Sequence, residues 1–344
     1  MVWYALECVD DAIDATRAFL LPVDRSRWLK LAVVVFFLSG GSGVSSLPNS
    51  SFNFSVGNVD FDFGGEGLPT GQVSLSEFVD EFLEPLLPLI VGLAVVFATI
   101  GLLFTLVGSV MEFVLVDSLR TESVAVRAKL REHVGGGLAL FAFRLLLGLV
   151  VLGVIGGLVF LLVVPALGND VQVLVAAAVI VPVALVVGVA AALVHGFTTD
   201  FVVPTMIHDD RGLRSAWGRF WPVLRGNLGQ FTLYVVVRFA LTIGVGIVAG
   251  IAIGIAGVVV GVPFVVLGGV AFLGTGGTLT VGSAVVYGLL IAVYVLLLLA
   301  VTAVVQVPLK TFTRYYELLV LGDVDPDLDL VAERRAAIRE DPFA

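Results

Sequence analysis

Residues 108–144 read GSVMEFVLVDSLRTESVAVRAKLREHVGGGLALFAFR, and residues 196–238 read GFTTDFVVPTMIHDDRGLRSAWGRFWPVLRGNLGQFTLYVVVR. Each stretch closes one apolar run on a carboxylate, Glu112 or Asp200. Each then turns through a basic loop and enters a second apolar run holding one arginine, Arg144 or Arg238. Leu130, Arg131, Gly135 and Arg144 match Leu224, Arg225, Gly229 and Arg238 at an offset of 94. Gly108, Glu112, Phe113 and Val114 match Gly196, Asp200, Phe201 and Val202 at an offset of 88. The difference is a longer second loop. The pattern predicts a duplicated corner, with both copies running the same way across a membrane. The repeat is then parallel, related by an axis along the membrane normal.

The runs that flank these corners set the class. Of the 344 residues, 59% are hydrophobic and 14% charged, and the mean hydropathy is +1.09. A water-soluble chain of this length has no place to hide so much apolar surface. The expected fold is an all-α polytopic membrane protein with six transmembrane helices, near 28–46, 86–115, 138–164, 173–197, 231–260 and 282–308. Residues 1–27 are expected to form a cytoplasmic amphipathic helix, 47–85 an outer loop, and 86–308 the transmembrane core. Residues 309–344 are expected to form a cytoplasmic acidic tail.

Orientation follows from the basic residues. All 19 fall before residue 31, in 120–131, in 211–225, from Lys310 onward, or at Arg144 and Arg238. The loops 47–85, 165–172 and 261–281 have none, though they hold eight carboxylates. The positive-inside rule then places both termini in the cytoplasm of a cell membrane. The first 20 residues are too acidic for a signal peptide, so the first span is expected to remain as an anchor. The net charge is −9, with 16 Arg against 3 Lys, which points to a high-salt cytoplasm. A single cysteine, Cys8, excludes an internal disulfide.

In the N-terminal segment Trp3, Leu6, Val9, Ile13 and Leu20 recur at helical spacing. The polar face is acidic rather than basic, so packing against the protein's own cytoplasmic side is expected over an in-plane lipid contact. The outer loop holds an alternating stretch, Phe52 to Phe63, around Gly57-Asn58. That pattern predicts a β-hairpin with Phe52, Phe54, Phe61 and Phe63 on one face, a surface for a membrane-protein partner. Glycines at 244, 246, 250, 254, 257 and 261 build a small-residue stripe for helix packing. Pro263 is expected to end that span, with 263–273 an interfacial or re-entrant piece.

The candidate site residues are the intramembrane charges Glu112, Arg144, Asp200 and Arg238. Paired as Glu112–Arg144 and Asp200–Arg238, they read either as locks that hold each helical hairpin in register or as the lining of a charged cavity. His195, His208, Asp209 and Asp210 lie near Asp200 without ligand spacing, and His133 has no partner pattern, so no metal site and no cofactor are expected. Asp323, Asp325, Asp327 and Asp329 lack the glycine and terminal glutamate of a calcium loop. No phosphate-binding loop or nucleophile motif is present, and the spread of basic residues gives nucleic-acid binding no support.

The opening Val2-Trp3-Tyr4-Ala5-Leu6, the Arg27-Trp28-x-Lys30-Leu31 segment and the Phe-rich outer loop resemble a family of uncharacterised haloarchaeal multi-pass membrane proteins, as does Phe220-Trp221-Pro222-Val223-Leu224. The resemblance implies a six-helix integral membrane protein and supplies no activity. More loosely, the repeated corner is similar to the membrane domain of some glycerophosphodiester phosphodiesterases, whose catalytic module has no counterpart here. Two functions are open at this point. One is a non-enzymatic assembly or accessory factor that uses the Phe stretch and the acidic cytoplasmic tail as its interaction surfaces. The other is a transporter or lipid-handling protein with a charged cavity between the two corners.

Overall fold

A computed structural model describes residues 4–40, 84–166, 170–274 and 281–340. The described chain is helical. In order, α1 is Tyr4–Leu20, α2 Arg25–Gly40, α3 Glu84–Arg120, α4 Val126–Leu162 and α5 Asp170–Phe197. A π-helical turn, Thr198–Val202, then leads into α6, Val203–Asp209. Next come α7, Leu213–Gly226, α8, Leu228–Gly274, α9, Val281–Val324, and α10, Ala332–Glu340.

The six-span, hairpin-bearing fold needs correcting. Five helices among the described residues are long and apolar enough to cross a membrane: 87–120, 126–162, 171–209, 228–274 and 282–324. The expected span at 28–46 is represented by α2, which has 16 residues. At 1.5 Å per residue that is about 24 Å, short of a hydrocarbon core of about 30 Å. No strand occurs among the described residues, and the stretch Phe52 to Phe63 lies outside them. The chain is a membrane-embedded, multi-pass helical protein.

Pro263 does not end its helix. α8 runs through it to Gly274, as α3, α5 and α9 run through Pro88, Pro182 and Pro308. Proline is tolerated in membrane helices because neighbouring groups take up the freed carbonyl. The glycine stripe contributes where α8 meets α9: Gly257 and Gly261 face the Tyr294 ring, and the Tyr294 hydroxyl donates to the Gly257 carbonyl at 3.4 Å.

Packing is uneven along the bundle. The long helices expose Leu, Val and Ile along most of their length, as lipid-facing helices do. The buried core gathers at one end, around Met111, Phe113 to Val116, Phe201 to Val203, Tyr234 and Tyr315 to Leu321. α1 lies against α9 there. Its buried stripe is Ala5, Cys8, Ala12, Ala15 and Phe19, spaced at helical intervals. Small side chains let α1 approach α9 closely, and the Tyr316 hydroxyl donates to the Ala5 carbonyl at 3.1 Å. Leu6 and Ile13, which the apolar pattern had placed inward, are turned out. α7 supplies Ala216, Phe220 and Leu224 to the core from one face. Phe201 stacks on Phe220 with centroids 5.4 Å apart, and meets Phe231 edge-on at 5.2 Å and Tyr234 at 4.7 Å. This aromatic cluster fixes the π-turn, and with it Asp200.

Candidate functional site

The site grows from the break in the helix at 198–202. The N–H of Val203 donates to the Thr198 carbonyl, five residues back, so the ladder is one residue wide of an α-helix. By the same register the Thr199 carbonyl looks to residue 204, which is proline and has no N–H. That carbonyl is taken instead by the Arg314 guanidinium of α9, at 3.0 Å. A local backbone irregularity thus draws a distant charged side chain inward.

The four sequence-predicted charges come together there. Glu112 Oε1 meets Arg144 Nη2 at 3.2 Å, and Asp200 Oδ1 meets Arg238 Nη2 at 3.1 Å. They are not two separate pairs. Arg314 and Glu317, one turn apart on α9, tie them together. Arg314 bonds Glu112 Oε2 and holds Glu317 Oε2 at 2.6 Å, while Glu317 Oε1 bonds Arg238. Arg144 also donates to Ser109 Oγ at 3.1 Å and Thr199 Oγ1 at 3.2 Å. The Tyr234 hydroxyl donates to Asp200 Oδ2 at 2.9 Å and accepts from Arg238 at 3.0 Å. Asp200 and Glu317 are each 2% exposed, Arg314 7% and Glu112 8%. Charges so deep persist only when paired and hydrogen-bonded.

The network borders a cavity of about 170 Å³, lined by Glu112, Asp200, Arg238, Arg314 and Glu317 together with Lys310, His195, Thr199 and Thr313. The cavity is several times what one water needs. Its walls come from α2, α3, α5, the π-turn, α8 and α9. Sequence reading missed Lys310, Arg314 and Glu317 because the charge at 310 looks like the end of a span. The available signal was the spacing Arg314-x-x-Glu317 inside an otherwise apolar run, which puts both charges on one helix face.

The remaining candidates fall elsewhere. Phe52, Phe54, Phe61 and Phe63 lie outside the described residues. His208 turns away to Asp209, at 2.9 Å. Asp117, Glu132 and His133 place three ligand atoms within 4.8 Å of one another. The Asp117 carboxylate already holds the Lys129 ammonium at 2.9 Å, so a cation there competes with a buried lysine. The aspartates of the C-terminal strip serve as anchors. Arg335 binds Asp323 at 3.2 Å and Asp329 at 2.9 Å, and Arg339 binds Asp323 at 2.7 Å and Asp11 of α1 at 2.8 Å. Cys8 Sγ donates to Asp323 Oδ2 at 3.2 Å. Burial and that carboxylate hold the Cys8 thiol well above the ordinary thiol range.

Neither the curated proteins nor the solved structures contain a match to this chain. A family of unknown function, DUF7544, matches residues 3–331, which takes in every helix of the core and all the residues of the charged cavity. The chain belongs to that family.

Proposed function

We propose that this protein is a transporter or lipid-handling protein whose site is the charged cavity between the two corners. The observation that carries the reading is the convergence of Glu112, Asp200 and Arg238 on one space, linked by Arg314 and Glu317, with Arg144 held on Glu112 behind the lining. Register locks need only two closed pairs, one per hairpin. Ionisable groups within membrane helices commonly mark a substrate or ion path. The distribution of basic residues supports a cell-membrane orientation with this end and both termini in the cytoplasm. The lysine-poor, acidic composition supports a haloarchaeal origin. The accessory-factor reading rested on residues 52–63, which lie outside the described residues, and on the acidic tail, whose Asp323 and Asp329 are taken up by Arg335 and Arg339.

The test is reconstitution of the purified chain into liposomes, with uptake of labelled small ions and solutes and transbilayer movement of labelled lipids measured in parallel. Arg238→Gln is expected to reduce the transported signal per folded molecule roughly tenfold or more, at some cost in accumulation, since Arg238 meets the buried carboxylates of both Asp200 and Glu317 at the cavity wall. A parent protein that moves no solute and no lipid above empty liposomes, or an Arg238→Gln variant with full activity, overturns the reading.

A further inference from the structure

The charges around the cavity do not balance. Five of the six carboxylate oxygens of Glu112, Asp200 and Glu317 are hydrogen-bonded, and the sixth, Asp200 Oδ1, lies within ion-pair distance of Arg238 without a hydrogen bond. Glu112 uses one on Arg144 and one on Arg314. Glu317 uses one on Arg238 and one on Arg314. Asp200 uses one on Arg238 and one on the Tyr234 hydroxyl. Lys310 lines the same cavity one turn before Arg314, and among the described residues no carboxylate lies within ion-pair distance of its ammonium. The cavity lining holds three cations and three carboxylates, but Glu112 is shared with Arg144 from behind the lining. Arg144, Arg238, Arg314 and Lys310 together face three carboxylates, and the network carries one positive charge in excess. This occurs in a chain whose net charge is −9. Lys310 feels Glu112 and Glu317 only from beyond ion-pair distance, and a cation so placed in a confined, half-buried space favours a closer anion as its counter-charge.

Two further donors point the same way. His195 sits at an exposed position on the cavity wall, and among the described residues its ring makes no hydrogen bond within the protein. Thr199 Oγ1 accepts from Arg144, so its own hydrogen is left to donate toward the cavity. The three donors come from α9, α5 and the π-turn, an arrangement that suits an anion with several oxygens better than a halide. We propose that the cavity binds an oxyanion, a phosphate or carboxylate group, with Lys310 as its counter-charge and His195 and Thr199 as donors. This rests on reading the cavity as a ligand site. The group is carried either by a free anion or by the headgroup of an anionic lipid.

The experiment uses the full chain in nanodiscs of phosphatidylcholine, titrated with inorganic phosphate against chloride at constant ionic strength. Binding is read by thermal shift and by retained radiolabelled phosphate. A parallel preparation in phosphatidylglycerol is analysed by native mass spectrometry for lipid that survives delipidation. Phosphate binding in the neutral nanodisc identifies a free anion as the source, and retained phosphatidylglycerol alone identifies the lipid. In either arm Lys310→Met is expected to weaken binding roughly tenfold or more, and Lys310→Arg to restore it. His195→Phe, at an exposed position, provides a second variant that folds if Lys310→Met does not, with a weakening of roughly threefold or more. Unchanged binding in Lys310→Met and His195→Phe overturns the proposal, as does a parent protein that binds neither phosphate nor phosphatidylglycerol. Transport without anion binding removes this inference and leaves the transport reading. Anion binding by a protein that moves nothing removes transport and leaves the oxyanion site.

Discussion

Gly108 and Gly196 occupy matching places in the two corners, yet they do different work. A methyl group on Gly108 would sit 2.9 Å from the Phe37 carbonyl oxygen, a backbone atom that has nowhere to go. The nearest atom to a methyl on Gly196 is Asp200 Oδ2 at 3.8 Å, an ordinary contact. Gly108→Ala is therefore expected to cost about 1–3 kcal/mol by forcing α2 and α3 apart, and Gly196→Ala a fraction of that. Thermal melts of the two variants in detergent separate these outcomes, and equal melting temperatures would refute the packing account. Arg314 is the other residue on which much depends. Its removal leaves Glu112 to Arg144 alone and Glu317 to Arg238 alone, and takes the donor from the Thr199 carbonyl. Arg314→Ala should cost about 3–5 kcal/mol, the range for removing one partner of a buried ion pair. Arg314→Lys should recover only part of it, because an ammonium cannot fork between partners on three elements. Denaturation of both variants beside the parent protein decides this.

At the scale of the element, the π-turn is the part that no pattern in the sequence announces. The carboxylate and arginine of each corner were legible, since charges in long apolar runs stand out. That Glu112 and Arg144 would meet also followed, because consecutive antiparallel helices bring those levels together. The third helix of the network was hidden. Lys310 and Arg314 look like a membrane exit, whereas α9 continues to Val324 and carries them into the core. The inward face of α1 was misread for a related reason. Hydrophobic periodicity picks the bulky stripe, but close helix contact selects the small one, Ala5, Cys8, Ala12 and Ala15. Pro204 gives the π-turn a test. Pro204→Ala supplies an N–H that competes with Arg314 for the Thr199 carbonyl. The variant is expected to lose about 0.5–1.5 kcal/mol, the net worth of one hydrogen bond. The loss should shrink when measured in an Arg314→Lys background. A stabilised Pro204→Ala protein would show that the π-turn is not held by this competition.

Across the whole molecule, the packed end is closed by α1 and α10. α1 and α10 both rest on the last part of α9, joined by Arg339 between Asp11 and Asp323 and by Cys8 on Asp323. The Cys8 thiol is held above the ordinary range, so the folded protein keeps its proton where an unfolded chain loses it, above pH of about 8.5. The contribution to stability is full below that value and falls as pH rises beyond it. Maleimide labelling of the folded chain is accordingly expected to be slow at neutral pH. Deleting residues 325–344 removes Arg335 and Arg339 and should make labelling fast, because α1 then lifts from α9. Equal labelling rates with and without the tail would show that α1 is held by other contacts.

That clasp bears on the order in which the chain is made. Cys8 and Asp323 are 315 residues apart, so α1 leaves the ribosome long before its seat on α9. Domains generally form as they emerge, but this core is completed only after Tyr315 to Leu321 of α9 have been made. Through that interval α1 waits with Leu6 and Ile13 on one side and its alanine stripe uncovered on the other. The bilayer surface next to the entering helices is the apolar place at hand. The helix α1 is thus made long before the surface that seats it, and its docking has to wait for α9.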